Sequence, residues 1–388
     1  MKRNKKAWNL SLFHDLTKQT NDEINKMDKI HILLVGKTGV GKSTLINHLF
    51  REELAKTGIG QPITQHIRQI TKEGMPLVLY DTRGLELTAS VQQQVRQEIQ
   101  GMEEKLAKKG GQMHCAYYCV NANSMRVEAN EVEFIKELAQ RMPVILVLTL
   151  AIGEAVEDFK TAIEEMNLPV QGVIPVLAKD YPLQSGQALP AFGLKALIRL
   201  TLQVVPENVW PSFTNAQQAD IDRKVAEAKR WAKRYIATTF GIGFTPIPFS
   251  DATAIVPVQI SMLAHITAVF GVSLEKKTLL GIIGAIGGTT GATFLGRSIV
   301  SNLLKFLPGV GSFFGGVISG GTASLLTSAL AMSYITVLAI ISEHEARGER
   351  LSSRSIARLM RRELKARLKR GKKDEDFKDI KQEQEGKK

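Results

Sequence analysis

The stretch GKTGVGKS at residues 36–43 matches the pattern G-x-x-x-x-G-K-[ST] at every fixed position. Gly36, Gly39 and Gly41 let a turn bring backbone N–H groups inward around a phosphate chain, and a helix starting near Lys42 adds the positive end of its dipole. Lys42 can then reach the β- and γ-phosphates, and the Ser43 hydroxyl can ligate Mg²⁺. A chance glycine turn is the competing reading. It does not explain why the pattern comes after an apolar run, IHILLVG, and opens a helical one, which is the context this chemistry requires.

Two further stretches extend the phosphate site. LVLYDTRG ends a strand-like run with Asp81-x-x-Gly84, where the carboxylate can hold Mg²⁺ through water and the Gly84 N–H can meet a γ-phosphate. Between the two motifs, GIGQPITQHI offers Thr64 as a second hydroxyl for Mg²⁺. A loop held this way is ordered by a triphosphate and released on hydrolysis. Each of these signals is weak alone, and their order and spacing make them reinforce one another.

The elements that must position these residues alternate along the chain. Apolar runs IHILLVG, PLVLYD, MHCAYYCVNA, PVILVLTL and VIPVLAKD read as strands, with helical patterns between them at 43–56, 89–109, 128–141, 154–166 and 191–204. This alternation predicts an α/β domain with a mostly parallel sheet flanked by helices. Prolines in VVPENVWPSF mark a boundary, after which Ile221, Val225, Ala228, Ala232 and Tyr235 recur at helical steps. The pattern predicts an amphipathic helix leaving the first domain. The divisions expected are a basic N-terminal segment at 1–27, the α/β domain at 28–205, a connecting helix at 206–240, an apolar helical domain at 241–346 and a basic charged tail at 347–388, partly disordered.

The composition of 44% hydrophobic and 23% charged residues belongs to a folded chain, and 388 residues suffice for two cores. A formal charge of +13 implies affinity for something acidic: nucleic acid, an anionic membrane or phosphate-bearing ligands. The two cysteines, Cys115 and Cys119, fall on one face of a strand as small buried hydrophobes, which argues against a disulfide framework or zinc site. The basic N-terminus lacks the apolar core of a secretory signal, so the chain is expected on the cytoplasmic side of a membrane and not secreted.

Residues 252–274, 278–296 and 306–342 contain no Asp, Glu, Lys or Arg. About 20 apolar residues span a bilayer as a helix, so these runs suit one span each or a hairpin. Pairs such as Gly287 with Gly291, Gly311 with Gly315 and Gly316 with Gly320 would let helices approach closely in lipid. Lys276, Lys277, Arg297 and Lys305 stand at the run ends, and the basic stretch 347–373 could rest on anionic headgroups. The alternative is a soluble helical domain whose buried helices are rich in glycine. His265, inside the first run, reads as a hydrogen-bonded packing residue.

In their order and spacing the three motifs resemble those of the TrmE/Era/Septin-type GTPases. The resemblance implies a GTP/GDP-binding domain over 28–205 that uses Mg²⁺, with Lys42, Thr64 and Gly84 in catalysis and Ser43, Thr64 and Asp81 at the metal. It carries Gly36, Lys37, Thr38, Gly39, Val40, Gly41, Lys42, Ser43 and Thr44 over as the phosphate loop, and Asp81 to Gly84 as the second switch. Leu85 stands where Ras-like members have a water-orienting glutamine, so hydrolysis is expected to be slow and to draw help from another group, a partner chain or a potassium ion. Arg83, beside it, reads as a solvated or partner-facing charge. In LVLTLAIG, Thr149, Leu150 and Ile152 occupy the guanine-specificity motif and supply no carboxylate, while Ala178 and Lys179 in VLAKD can pack on the base. Discrimination of GTP from ATP stays open.

Residues 240–345 resemble the YcjF-type domain found after GTPase domains in many bacterial proteins, with a more distant likeness to the immunity-related GTPases. Together these resemblances imply a nucleotide switch acting through the connecting helix on a membrane-associated helical domain, with homodimerisation across the nucleotide face. The competing functions are an Era-like GTPase that binds RNA or the ribosome, and a scaffold that binds nucleotide without hydrolysing it. No KH-like element supports the first, since GIIG at 281–284 lies inside an apolar run.

Overall fold

The computed structural model describes residues 2–51, 54, 59–62, 64, 66–82, 89–184, 186–242, 251–272, 279, 282 and 320–370. They form two compact units, one of residues 24–220 and one that joins residues 1–23 to residues from 221 onward.

The first unit is built on a seven-stranded sheet of β1 (Ile30–Val35), β2 (Ile59–Pro62), β3 (Ile67–Lys72), β4 (Met75–Thr82), β5 (Cys115–Asn121), β6 (Val144–Thr149) and β7 (Gly172–Val176), in the order β2-β3-β4-β1-β5-β6-β7. Strands β4, β1, β5, β6 and β7 are parallel, while β2 and β3 add an antiparallel edge. Parallel strands buried on both faces read as near-continuous apolar runs, and β6, VILVLT, is buried at all six positions. Alternate residues divide between two cores. Leu33, Val35, Tyr118, Leu146 and Leu148 face α3 (Ala89–Ala107), α4 (Ala129–Ala139) and α5 (Ala155–Glu165). Ile32, Leu34, Tyr117, Ile145 and Val147 face α2 (Lys42–Leu49), α6 (Leu194–Val204) and α7 (Trp210–Ala216). Cys115 and Cys119 lie in this second core, fully buried and free, and burial pushes the Cys119 thiol up to about 12. A short hairpin of β8 (Tyr181–Pro182) and β9 (Ala188–Leu189) comes after β7.

The five strands and five helices expected between residues 30 and 205 are present, except that the helix expected over 43–56 ends at Leu49, where Phe50 turns extended, and β2 and β3 are additions to that pattern. No apolar run marks β3, which buries only Ile67 and Ile70, one toward each core. The chain leaves this unit later than the proline cluster suggests. Phe213 and Ala216 of α7 are buried in the sheet's second core, and Gln217 pairs with Phe50 in an isolated bridge. The Gln217 side chain accepts from the Asp220 N–H at 2.8 Å and donates to the Asp220 carbonyl at 2.9 Å, holding the turn that precedes the next helix.

The second unit contains α1 (Lys2–Asn25), α8 (Ile221–Ile242), α9 (Asp251–Phe270), α10 (Gly320–Ala346) and α11 (Ser353–Arg370). Helix α10 packs on α8, α9 and α11. Ala228, Ala232 and Ile236 of α8 are fully buried at four-residue steps, with Ile221, Val225 and Tyr235 packed beside them, as the periodicity predicts. The N-terminal segment is a helix of this unit: Leu16 is buried in its core, and Gln19 accepts from Ser261 at 2.9 Å. Buried hydroxyls bond within the bundle, Thr267 to the Leu263 carbonyl and the Tyr334 hydroxyl at 2.7 Å each, and Ser333 to the Ala329 carbonyl at 2.6 Å. Lys224, 1% exposed, donates to the Phe270 carbonyl at 2.7 Å, placing a cation at the C-terminus of α9. His265 lies 3.4 Å from Glu23 and against Trp231, ring centroids 3.7 Å apart, in keeping with a packing role.

Among the described residues one helical stretch, Ser324–Ala346, is long and apolar enough to cross a membrane, and 72% of its most apolar 18 residues are buried inside the unit. A core helix of a bundle has this same composition. Of the other apolar runs, 283–296 and 306–319 lie outside the described residues, as do Lys276, Lys277, Arg297 and Lys305.

Candidate functional site

The loop between β1 and α2 is shaped by two close approaches. Gly36 has φ +143°, and a Cβ there would stand 2.4 Å from the Cys119 carbonyl oxygen of β5. Gly41 has φ +96° immediately before the first residue of α2. Both positions require glycine, the first for space and the second for the left-handed backbone. The loop is tied to the sheet by Thr149, at the end of β6, whose hydroxyl donates to the Val40 carbonyl and lies 3.0 Å from the Val120 carbonyl.

A cavity of about 440 Å³ opens beside this loop, lined by Thr38, Gly39, Gly41, Lys42, Ser43, Thr44, Ile46, Arg68, Ile70, Asp81 and Thr82. The Lys42 ammonium donates to the carbonyls of Gly36 at 2.6 Å and Lys37 at 3.0 Å, which holds it within the loop. Thr82 is fixed by donating to the Leu34 carbonyl at 2.9 Å. The cavity thus combines a lysine and an arginine with one carboxylate and several hydroxyls. A hydroxyl at Ser43 and a carboxylate at Asp81 form a hard-oxygen donor set of the kind Mg²⁺ takes, next to cations that suit phosphate. These residues fit a Mg²⁺–nucleotide complex.

A second, smaller pocket of about 30 Å³ adjoins the loop, lined by Gly41, Thr44, Leu45, Thr149, Leu150, Val176, Leu177, Ala178, Lys179 and Tyr181. Gly41 and Thr44 belong to both cavities. Leu150 has φ +53°, and its carbonyl accepts from the Asn123 side chain at 2.9 Å. Ala178 and Lys179 are therefore on this wall, and no carboxylate lines it among the described residues.

Lys37 turns to α4. Its ammonium lies 2.7 Å from Glu128 and 3.4 Å from Glu131, and Glu131 accepts from the Glu128 N–H at 3.1 Å in a capping box at that helix start. Burial alone would lower the Lys37 pKa, but the bonds to Glu128 and Glu131 outweigh it and raise it. The same bond to Lys37 holds the Glu128 carboxyl below its ordinary range.

Thr64 is not brought to the cavity. Its hydroxyl donates to Glu98 on α3 at 2.5 Å, and the same carboxylate accepts from the His66 N–H at 3.1 Å and meets His66 Nδ1 at 3.0 Å. Burial would raise the Glu98 pKa, and the bonds to Thr64 and His66 reverse this and hold it low. Gly84, with Arg83 and Leu85, lies outside the described residues.

Three residues of the site carry no motif. Arg68 enters the phosphate cavity because the antiparallel register sets it opposite Asp81. Glu98 reaches Thr64 from a helix 34 residues further along. Tyr181 joins the small pocket through the β8–β9 hairpin, and an aromatic two positions after Lys179 is the only sequence signal for it.

Residues 31–150 match the family described as 50S ribosome-binding GTPase, and residues 214–364 match a domain of unknown function, DUF697. Translocase of chloroplast 108 from Physcomitrium patens is 39% identical over 80 residues, 20% of this chain and 8% of that protein. Septin-9 from Rattus norvegicus is 25% identical over 150 residues, 32% of this chain and 26% of that protein. The chain thus matches only 8% and 26% of the lengths of these two relatives. The crystal structure of Cdc11 from Saccharomyces cerevisiae matches with a TM-score of 0.29 and 16% identity, over 45% of this chain and 95% of that one.

Proposed function

From the premise that this chain carries a P-loop GTPase domain followed by a DUF697 helical domain, we propose that it is a guanine-nucleotide switch with slow Mg²⁺-dependent hydrolysis, acting on a membrane-associated helical unit. The observation that carries the reading is the adjoining pair of cavities that share Gly41 and Thr44, one with Lys42, Ser43 and Asp81, the other with Ala178, Lys179 and Tyr181. Their chemistry divides as a nucleotide's does, into phosphates and base.

In this reading the loop amides of Gly36 to Thr44 and the Lys42 ammonium hold the phosphates, with Arg68 adding a second cation. Ser43 and Asp81 hold Mg²⁺, which supplies charge neutralisation at the phosphate oxygens. Thr64 joins them only after giving up Glu98, so the bond between these two side chains opposes the triphosphate-bound arrangement. Leu85 stands in place of a water-orienting glutamine, which supports slow turnover and a homodimer across the nucleotide face as the source of help.

Flotation of the protein with liposomes in a GTP analogue, GDP or no nucleotide, repeated with Lys42→Ala, tests the switch. Flotation that depends on nucleotide and is lost in the variant is expected. Equal flotation in all states would separate nucleotide from membrane and overturn it. The family's description as ribosome-binding favours a second reading, a GTPase acting on the ribosome. Co-sedimentation with 50S subunits that survives moderate salt would favour it over the first.

A further inference from the structure

Helix α11 carries its exposed cations on one side, while Arg367 turns inward and donates to Thr336 at 3.1 Å. Arg354, Arg358, Arg361, Arg362, Lys365 and Lys369 are all exposed, and Ile356, Met360, Leu364 and Leu368 are buried in the core of the helical unit. At 3.6 residues per turn the six cations fall within an arc of roughly 100°, and at 1.5 Å per residue they extend for about 22 Å. The helix's single acidic residue, Glu363, points elsewhere on the wheel and lies 3.3 Å from Arg362. The buried side locks this row in place, so its orientation is part of the fold.

We propose that the exposed face of α11 is an electrostatic docking surface for the anionic headgroups of a lipid bilayer, and that this face, with the apolar helix α10 kept in the bundle, makes the membrane contact. The inference deepens the membrane reading above and rests on it. Charge complementarity carries the choice of partner: a straight row of cations suits the extended negative field of a headgroup layer. A surface for single-stranded nucleic acid adds base-stacking aromatics to its cations, and α11 has no Phe, Tyr or Trp. The covering of α10 by α8, α9 and α11 means that contact of this kind needs no opening of the core.

The test uses the full chain with a GTP analogue present and co-sedimentation with vesicles of phosphatidylcholine, with and without phosphatidylglycerol. Binding is expected only with phosphatidylglycerol and weakens as NaCl is raised. Each cation near such a surface contributes about fivefold in affinity, so the triple variant Arg354→Gln/Arg358→Gln/Arg361→Gln binds about a hundredfold more weakly. Its unchanged circular dichroism shows that folding is intact, and the triple Arg→Lys variant at the same positions keeps the wild-type affinity. If the Gln variant binds as tightly as wild type, or wild type binds neutral vesicles equally well, this surface is wrong while the membrane reading survives. Absence of binding to either vesicle overturns both. Vesicle-independent binding to poly(U) that the Gln variant loses reassigns the face to RNA and overturns the proposal.

Discussion

Strand β6 and residues 324–341 of helix α10 are both strongly apolar and largely covered, yet the two units around them put their polar groups to different use. In the sheet unit, strand ends run out into loops whose backbone is turned inward, so Gly41, Lys42, Ser43 and Asp81 converge on one cavity. In the helical unit, the buried hydroxyls of Thr267 and Ser333 bond the bundle's own carbonyls, and exposed charges collect on the outside of α11. An open α/β sheet concentrates chemistry at the carboxyl ends of its strands. A helical bundle distributes it over a face. The difference explains why a site of chemistry is legible in one unit and only a surface is legible in the other.

The contrast can be broken most strongly at the core of the bundle. Leu330 of α10 is fully buried, and Leu330→Ala is expected to cost about 2–5 kcal/mol of that unit's stability. Denaturation followed by circular dichroism measures the loss. Calorimetric titration with GDP should show nucleotide affinity unchanged, and a parallel drop in both would mean that the units do not behave separately.

Lys42→Ala is expected to weaken GDP binding about a hundredfold, the cost of losing one or two charge-assisted bonds to phosphate. Isothermal titration calorimetry reads this directly, and a thermal melt of the variant should match wild type without nucleotide. Tyr181→Ala should weaken binding about tenfold if the ring stacks on the base. Competition between GTP and ATP in the same variant shows whether the small pocket contributes to base choice in the absence of a carboxylate.

The smallest effect concerns the far end of the sheet. His31 is held down to about 4 by burial, with repulsion from His114 and Lys29, while its Nδ1 lies 3.0 Å from the Tyr80 hydroxyl. Below about pH 6.5 the unfolded chain takes up this proton before the folded one does, so stability is present above that pH and is lost as pH falls towards 4. A decrease of a few °C in melting temperature over that range is expected. His31→Phe should flatten the slope, and an unaltered slope would locate the acid sensitivity elsewhere.

Much of the sheet unit can be read from local pattern. Its strands are covered on both faces, so their apolar runs stand out, and the glycine motif marks where β1 meets α2. Strands β2 and β3 cannot be read this way: β3 buries one isoleucine on each face and shows no apolar run. Thr64 stands out in the sequence by its type and its place between two motifs, but its partner Glu98 lies 34 residues away on a helix with no motif of its own. Arg68 enters the site only through strand register.

By itself, the sequence determined the phosphate loop, the parallel sheet that carries it and the helical character of the second half, because each depends on residues near one another in the chain. Tertiary structure alone decided that the N-terminal helix belongs to the distant bundle, that Gln217 and Asp220 mark the border between units, and that a helix long enough to span a bilayer is covered by protein. An apolar run records only that its surface must leave water; the cover for that surface depends on which other segments fold against it.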